Sequence, residues 1–206
     1  MRLGRLRAVT SLNVVLAVLA LLQARFFTIF LRSSGPGRHV EAISWDYDIP
    51  FVPWMILAYM SVYVLLALTV VVLVWRGEPW RLTVFLLAFV LLWGVADFVW
   101  SAYPTVDVLR PHLGDSFVDR LVDLNYGPGR DTLPSGHNMT AWLCAFFFVL
   151  ERLPRRGLVV VWAALISAST LLVRQHYIVD VVVSVPLAFV CLFVVDRALT
   201  RQLQMS

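Results

Sequence analysis

The feature that most constrains this chain is a series of long apolar runs that contain very few charged residues. The runs cover residues 9–31, 52–75, 82–101, 138–150, 157–173 and 177–195. About 20 apolar residues in a helix cross the hydrocarbon core of a bilayer. Moreover, 60% of the 206 residues are apolar and only 15% are charged, whereas roughly a quarter of a soluble domain is charged. The runs therefore predict an all-α fold, in which a single domain (residues 1–206) forms a membrane bundle of six transmembrane helices.

The basic residues bear on both the partner and the membrane topology. All 17 are arginines, and they lie mostly at the ends of the apolar runs. A nucleic-acid-binding protein gathers its basic residues on one face, so we expect no nucleic-acid partner despite the net charge of +4. With the N-terminus inside, ten arginines fall on inner segments and six on the longer outer loops, beside eight acidic residues. The positive-inside rule then predicts that both termini are in the cytoplasm, and we expect the protein in the plasma (inner) membrane.

The same topology brings two polar segments to the outer, extracytoplasmic face. In the first, residues 131–138 (Asp-Thr-Leu-Pro-Ser-Gly-His-Asn), a turn leads into the fourth span. The start of a helix presents unpaired N–H groups and partial positive charge, which suit a phosphate. Pro134 and Gly136 let the backbone come close, and Ser135 adds a hydroxyl donor. His137 would then lie beside the bound phosphate.

The second polar segment, residues 174–180 (Arg-Gln-His-Tyr-Ile-Val-Asp), opens the sixth span. His176 and Asp180 are four residues apart, so they share one face of a helix. A carboxylate there can hold one ring nitrogen and leave the other free to act as a nucleophile. Arg174 adds a cation where phosphate charge develops.

The longest polar stretch, the outer loop at 102–134, contains a further helical pattern. Residues 115–125 carry apolar side chains at helical spacing with a polar opposite face. This pattern predicts a short amphipathic helix at the membrane interface.

The two motifs, in this order, resemble the type 2 phosphatidic acid phosphatase superfamily. Its members include lipid phosphatases, glucose-6-phosphatase, vanadium haloperoxidases, and sphingomyelin and inositol phosphorylceramide synthases. The phosphatase pattern has three parts: Lys-x6-Arg-Pro, Pro-Ser-Gly-His and Ser-Arg-x5-His-x3-Asp. The second part is intact at Pro134–His137, and the third survives in His176 and Asp180. The resemblance covers residues 103–180.

Two departures from that pattern concern the residues that would bind phosphate. The first part survives as Arg110-Pro111, but Tyr103 stands where the pattern has a lysine. In the third part, Ser169-Thr170 replaces Ser-Arg. Synthases of the sphingomyelin type also lack the full phosphatase pattern. Their Asp-x-x-x-Ser-Gly-His and His-Tyr-x-x-Asp-Val closely match residues 131–137 and 176–181.

The resemblance implies a role for each candidate residue. His176 would attack phosphorus and form a phosphohistidine, and Asp180 would orient it. His137 would protonate the leaving alkoxide and later activate the acceptor. The candidates for phosphate binding are Arg110, Ser135, Gly136 and Arg174. Further candidates for substrate contact are Tyr103, Arg130 and Asp131.

The predicted function is therefore a lipid phosphatase, acting on a lipid phosphate or polyprenyl diphosphate in the membrane and needing no metal and no cofactor. One alternative is a head-group phosphotransferase, with an alcohol as the acceptor instead of water. A second is a metal-dependent hydrolase, because two histidines and a carboxylate can also hold zinc or iron. A third is a lipid carrier without enzymatic activity, which would explain the spans but not the paired His176 and Asp180. The lipid, the acceptor and the oligomeric state stay open.

Overall fold

The computed structural model describes residues 10, 12–22, 40, 42–105, 108–126 and 133–205, with side chains up to residue 200. Within these ranges the chain is helical and contains no strand, which confirms the predicted all-α class. The helices are α1 (Leu12–Leu22), α2 (Ser44–Asp48), α3 (Ile56–Trp75), α4 (Pro79–Ala102), α5 (Phe117–Asn125), α6 (Gly136–Leu150), α7 (Arg156–Leu172) and α8 (Ile178–Met205). A 3-10 turn at Pro53–Met55 leads directly into α3.

Within the described residues, three helical segments are long and apolar enough to cross a membrane. They are Pro53–Trp75, Pro79–Ala102 and Ile178–Thr200. The other apolar helices, α1, α6 and α7, are shorter in their described parts. At 1.5 Å per residue, for example, the 15 residues of α6 extend about 22 Å, less than the thickness of the hydrocarbon core. The apolar helices indicate membrane association, while the count of six spans stays a prediction.

The core of the bundle is built around α6. This helix packs against α3, α4, α7 and α8, and most of its side chains are buried. Phe147 of α6, for instance, meets Phe85 of α4 edge to face, with ring centroids 5.3 Å apart. The outer faces carry large exposed apolar side chains such as Val71, Phe98 and Val161. An exposed apolar surface of this extent fits contact with lipid.

Long helices that follow one another in the chain, such as α6 and α7, run in opposite directions, so their ends gather at two ends of the bundle. The starts of α3, α6 and α8 meet at what we call the motif end, where Tyr59 stacks on His137 and Ser135 is hydrogen-bonded to Ser184. At the opposite end, Arg81 of α4 forms ion pairs with Glu151 after α6 and with Asp196 of α8. Both polar motifs are therefore at one end of the bundle.

The motif end is covered by α5, which corresponds to the amphipathic helix predicted at 115–125. Its first turn is capped by the hydroxyl of Ser116, which accepts a hydrogen bond from the backbone N–H of Asp119 at 3.1 Å. Val118 and Val122 are buried and pack in a small apolar cluster with Ile56 at the start of α3. The helix itself is thus confirmed, and its place at a membrane interface stays a prediction.

Candidate active site

His176 and Asp180 form a hydrogen-bonded pair at the start of α8. The Nδ1 atom of His176 lies 3.1 Å from Oδ2 of Asp180. That oxygen also accepts a hydrogen bond from the backbone N–H of Tyr177 at 2.9 Å. Asp180 is fully buried, and the side chain of His176 is 11% exposed. Because Nδ1 is held by the carboxylate, Nε2 is the ring nitrogen left for chemistry.

A second carboxylate, which sequence reasoning missed, also holds the start of α8. Asp46 in α2 is buried, and its Oδ1 accepts a hydrogen bond from the backbone N–H of Ile178 at 2.9 Å. Its Oδ2 accepts one from the backbone N–H of Ile43 at 2.8 Å. Free N–H groups and the helix dipole both favour carboxylates at such a position. The only sequence signal is that Asp46 lies between two aromatic residues, Trp45 and Tyr47.

The start of α6 is tied to α8 through buried hydroxyl groups. The backbone N–H of Ser135 donates to the Ser184 hydroxyl at 2.8 Å, and that hydroxyl donates to the backbone carbonyl of Asp180 at 2.6 Å. The Ser135 hydroxyl caps α6 by accepting from the backbone N–H of Asn138 at 3.3 Å. Ser135 is fully buried, and its role toward phosphate stays a prediction. Ser184 lies one helical turn after Asp180, a spacing that could have drawn attention to it.

His137 is the second residue of α6 and lies between two tyrosines of α3. Its ring stacks on Tyr59, with centroids 3.9 Å apart and planes 27° apart. Tyr63 approaches edge-on, with centroids 5.7 Å apart, and its hydroxyl lies 3.5 Å from His137 Nε2. The centroids of the His137 and His176 rings are 6.5 Å apart. The three residues predicted to be catalytic are therefore close together, and the two tyrosines were not anticipated.

The spacing of the two histidines suits a reaction at an atom held between them. A nucleophile needs to be roughly 3–3.5 Å from the atom that it attacks. A general acid needs to be about 2.6–3.2 Å from the atom that it protonates. The centroids of the His137 and His176 rings are 6.5 Å apart, a separation that leaves room for a small group between the two rings.

The two arginines predicted to bind phosphate, Arg110 and Arg174, contact other groups of the protein. The guanidinium of Arg110 lies 4.7 Å from the centroid of the Tyr126 ring, a cation–π contact. Arg174 has a positive φ of 52° and donates from one terminal nitrogen to the backbone carbonyl of Ile49 at 2.9 Å. Tyr103 directly follows the last residue of α4 and is 40% exposed. Arg130 and Asp131 lie outside the described residues.

Thr170, which stands in place of the arginine in the third motif, lies in the core. It is fully buried, and its hydroxyl donates to the backbone carbonyl of Ser167 at 2.8 Å. The same hydroxyl accepts from the side-chain amide of Asn138 at 3.0 Å. That amide also donates to the Ser135 hydroxyl at 2.9 Å. A neutral hydrogen-bonded network thus occupies this position.

Gly136, the first residue of α6, is in close contact with α4. A Cβ atom added at Gly136 would lie 3.2 Å from Cη2 of Trp93, which is tighter than ordinary van der Waals contact. The missing side chain therefore allows α6 to begin against the indole ring. The sequence prediction gave Gly136 a role in the approach of phosphate, and the structure adds this packing role.

A comparison against protein-family models identifies the family of this chain. The model of the PAP2 superfamily matches residues 82–203, which is more than half of the chain and includes His137, His176 and Asp180. The chain therefore belongs to the PAP2 superfamily, whose members are generally phosphoryl-transfer enzymes. Membership indicates a phosphatase or phosphotransferase activity and does not single out a branch. Searches of curated proteins and of solved structures found no match.

Proposed function

We propose that the protein is a membrane-embedded lipid phosphatase, which hydrolyses a lipid phosphate or polyprenyl diphosphate through a phosphohistidine on His176. The observation that carries this proposal is the hydrogen bond from His176 to buried Asp180, with His137 facing it at a centroid distance of 6.5 Å. A nucleophile, its orienting carboxylate and an opposed acid–base group are the parts that such a reaction needs.

In the first step the phosphoryl group moves from the lipid to the enzyme. The lone pair of His176 Nε2 forms the N–P bond while the bond from phosphorus to the leaving oxygen breaks. The electron pair of that bond goes to the leaving oxygen, which takes a proton from His137. Asp180 stabilises the positive charge that develops on the His176 ring, because its Oδ2 lies 3.1 Å from Nδ1.

In the second step water removes the phosphoryl group from the enzyme. Neutral His137 takes a proton from the water, whose oxygen forms a bond to phosphorus. The N–P bond breaks, and its electron pair returns to Nε2 of His176. The products are the free phosphate and the original state of both histidines, with His137 protonated again.

A lipid substrate is supported by the position of the site in an apolar bundle. The polar motifs lie together at the motif end, while the flanks of the long helices carry exposed apolar side chains. Trp45 and Trp54, at the same end, are 70% and 67% exposed, as in the aromatic belts at membrane interfaces. A lipid with its head group at the motif end would extend its chains along the outside of the helices.

The excess of arginine at the opposite end supports an extracytoplasmic active site. The inner segments by the positive-inside rule would be the loop at 76–81, the loop at 151–156 and the end of α8, each of which carries arginine. The proposed location is the plasma membrane, with both termini in the cytoplasm. Outer-leaflet lipids would then be the accessible substrates.

A head-group phosphotransferase is the second candidate, and the contacts of Thr170 and Arg174 favour it. Thr170 is neutral and bonded within the core, and Arg174 donates to the carbonyl of Ile49. A phosphomonoester is close to a dianion at neutral pH, whereas a diester carries one negative charge. A site with fewer cations near phosphorus therefore favours diester donors, and an alcohol could take the place of water in the second step.

Purified protein incubated with three donor classes tests the proposal and separates the candidates. The donors are a lipid phosphomonoester, a polyprenyl diphosphate and a phospholipid diester with an added lipid alcohol. We expect free phosphate from the first two with wild-type protein and none with His176→Asn. Transfer to the alcohol without free phosphate would establish the phosphotransferase instead. Turnover of no donor would favour a lipid carrier and overturn the proposal.

Vanadate and a chelator separate the phosphohistidine mechanism from a metal centre. Vanadate adopts the trigonal-bipyramidal geometry of the transition state and should inhibit, whereas EDTA should leave activity unchanged. Among the described residues, no cluster of three or more histidine, cysteine, aspartate or glutamate side chains is arranged to hold a metal ion. Loss of activity in EDTA with recovery on addition of zinc would contradict the metal-independent mechanism.

A further inference from the structure

Tyr59 and Tyr63 lie one turn apart on α3 and enclose the ring of His137 on two sides. Residues four apart on a helix face the same direction, so both rings point toward α6. Tyr59 is almost fully buried and stacks on the imidazole at 3.9 Å, whereas Tyr63 is 56% exposed and meets it edge-on. The stack fixes the plane of the imidazole, and its Nε2 atom faces the hydroxyl of Tyr63.

The Tyr63 hydroxyl and His137 Nε2 are close to each other but too far apart for a strong mutual hydrogen bond. At 3.5 Å this distance exceeds the roughly 2.7–3.2 Å of a well-formed hydrogen bond between nitrogen and oxygen. Yet an oxygen atom placed beside both groups can be within hydrogen-bond distance of each. When His137 is protonated, Nε2–H and the tyrosine O–H are both donors. With His137 in that state, the two groups can both donate to one oxygen atom placed between them.

We propose that Tyr63 is a second hydrogen-bond donor to the leaving-group oxygen, alongside His137; this inference rests on the proposed phosphoryl transfer. As the bond from phosphorus to that oxygen breaks, its electron pair and a negative charge accumulate on the oxygen. His137 transfers its proton to the oxygen, while Tyr63 keeps its own proton and donates a hydrogen bond. Donors aimed at a developing oxyanion stabilise the transition state more than the ground state.

The exposure of Tyr63 is consistent with this role. Its side chain is more than half exposed on the outer surface of α3, in a segment long and apolar enough to cross a membrane. A lipid substrate can therefore reach the hydroxyl from the flank of the bundle, whereas Tyr59 is covered. The two tyrosines therefore have different roles: Tyr59 positions the imidazole, and Tyr63 contacts the substrate.

The leaving group decides how much a second donor matters. An alkoxide is a strong base and needs its charge stabilised as it departs, whereas a p-nitrophenolate carries the charge over its own ring. Removing a donor to an oxyanion in a water-excluded site lowers the rate roughly 100- to 1,000-fold. Because Tyr63 is partly exposed, we expect a loss of about tenfold for an alkyl ester and little change for the p-nitrophenyl ester.

The test compares kcat/KM of the wild-type protein and Tyr63→Phe on an alkyl and a p-nitrophenyl ester of the same phosphate class. The quantity kcat/KM is chosen because it depends on the departure of the leaving group and not on the later hydrolysis of the phosphohistidine. Tyr47→Phe is the matched control, since Tyr47 is 57% exposed on α2. The melting temperature of each variant shows whether it is folded.

The expected result is a selective loss on the alkyl ester in Tyr63→Phe and no change in Tyr47→Phe. Equal losses on both esters, or no loss on either, would contradict the role of Tyr63 while leaving the proposed function in place. A wild-type protein that turns over neither ester would overturn the proposed function and this inference together.

Discussion

The side-chain amide of Asn138 donates a hydrogen bond to the hydroxyl of Thr170 at 3.0 Å, across the contact between α6 and α7. The same amide donates to the hydroxyl of Ser135 at 2.9 Å. Thr170 stands where the phosphatase pattern has an arginine, so a neutral buried network takes the place of a cation. In this chain the position supports the start of α6, which carries His137, and contributes no positive charge.

The first prediction is that Thr170→Val destabilises the protein. Valine keeps the shape of threonine but removes the acceptor for Asn138 and the donor to the Ser167 carbonyl. The expected decrease in the free energy of unfolding is about 1–2 kcal/mol. Thr200→Val is the control, because it makes the same change at an exposed helical position in α8. Chemical unfolding in detergent measures the free energy of unfolding of both variants. Equal values for Thr170→Val and Thr200→Val would show that the network contributes nothing to stability.

The second prediction is that Asp46→Asn lowers activity although Asp46 is remote in sequence from the motifs. Each carboxylate oxygen of Asp46 accepts one backbone N–H, from Ile43 and Ile178. An asparagine offers one oxygen, so one N–H must lose its partner, at a cost of about 1–3 kcal/mol. Ile178 follows His176 by two residues, and the imidazole should therefore be less well fixed.

The matched control for that variant is Asp48→Asn, because Asp48 is exposed on the same short helix. Steady-state rates and melting temperatures of the two variants are compared. Wild-type rates in Asp46→Asn would show that the start of α8 is held by other contacts.

The third prediction is that Gly136→Ala impairs the site by steric contact alone. The new Cβ would lie 3.2 Å from Cη2 of Trp93, so either the indole or the start of α6 must shift. His137 is the next residue, and a shift of the start of α6 would displace its ring. Gly157→Ala is the control, since nothing lies within 4 Å of a Cβ at that position in α7. Alanine is the better helix former, so the control should retain full activity and equal or higher stability.

A second substitution tests the cause of that loss. Replacing Trp93 by leucine in the Gly136→Ala variant removes the atoms that the new Cβ meets, and activity should partly return. If the double variant is less active than Gly136→Ala alone, contact with Trp93 is not the reason for the loss.

The fourth prediction concerns the orientation in the membrane. In intact cells, Ser116→Cys should react with an impermeant thiol reagent and Gly157→Cys should not, because α5 covers the motif end and Gly157 lies at the start of α7 at the opposite end. The native Cys144 and Cys191 are buried, so the background should be low. Labelling of Gly157→Cys alone would put the active site in the cytoplasm.

The elements of the fold could be predicted from the sequence because apolar runs in a membrane protein are long and nearly continuous. The predicted runs at 138–150 and 157–173 correspond closely to α6 and α7. The predicted run at 177–195 covers the apolar part of α8, which continues as a helix to Met205 after the apolar run stops. Helical propensity, and not hydrophobicity, carries the helix through that last part.

The pairing of His176 with Asp180 could also be predicted, because it depends on local helical spacing alone. The contact of the two tyrosines with His137 could not be predicted. The helix α3 is apolar on all sides, and its sequence does not reveal which face turns inward. Tyr63 and His137 are 74 residues apart. The contact of Asp46 with Ile178 spans 132 residues and likewise depends on how separate elements pack.

The most direct test of the account is to trap the phosphorylated enzyme. Wild-type protein is mixed with a donor labelled on the transferred phosphoryl group, quenched within the first turnover in alkali (where phosphohistidine is stable), and digested for mass spectrometry. We predict label on the peptide that contains His176 and no label in His176→Asn, with both proteins folded and Asp180 intact. Turnover by His176→Asn at the wild-type rate, or wild-type label on a different residue, would contradict the phosphohistidine mechanism.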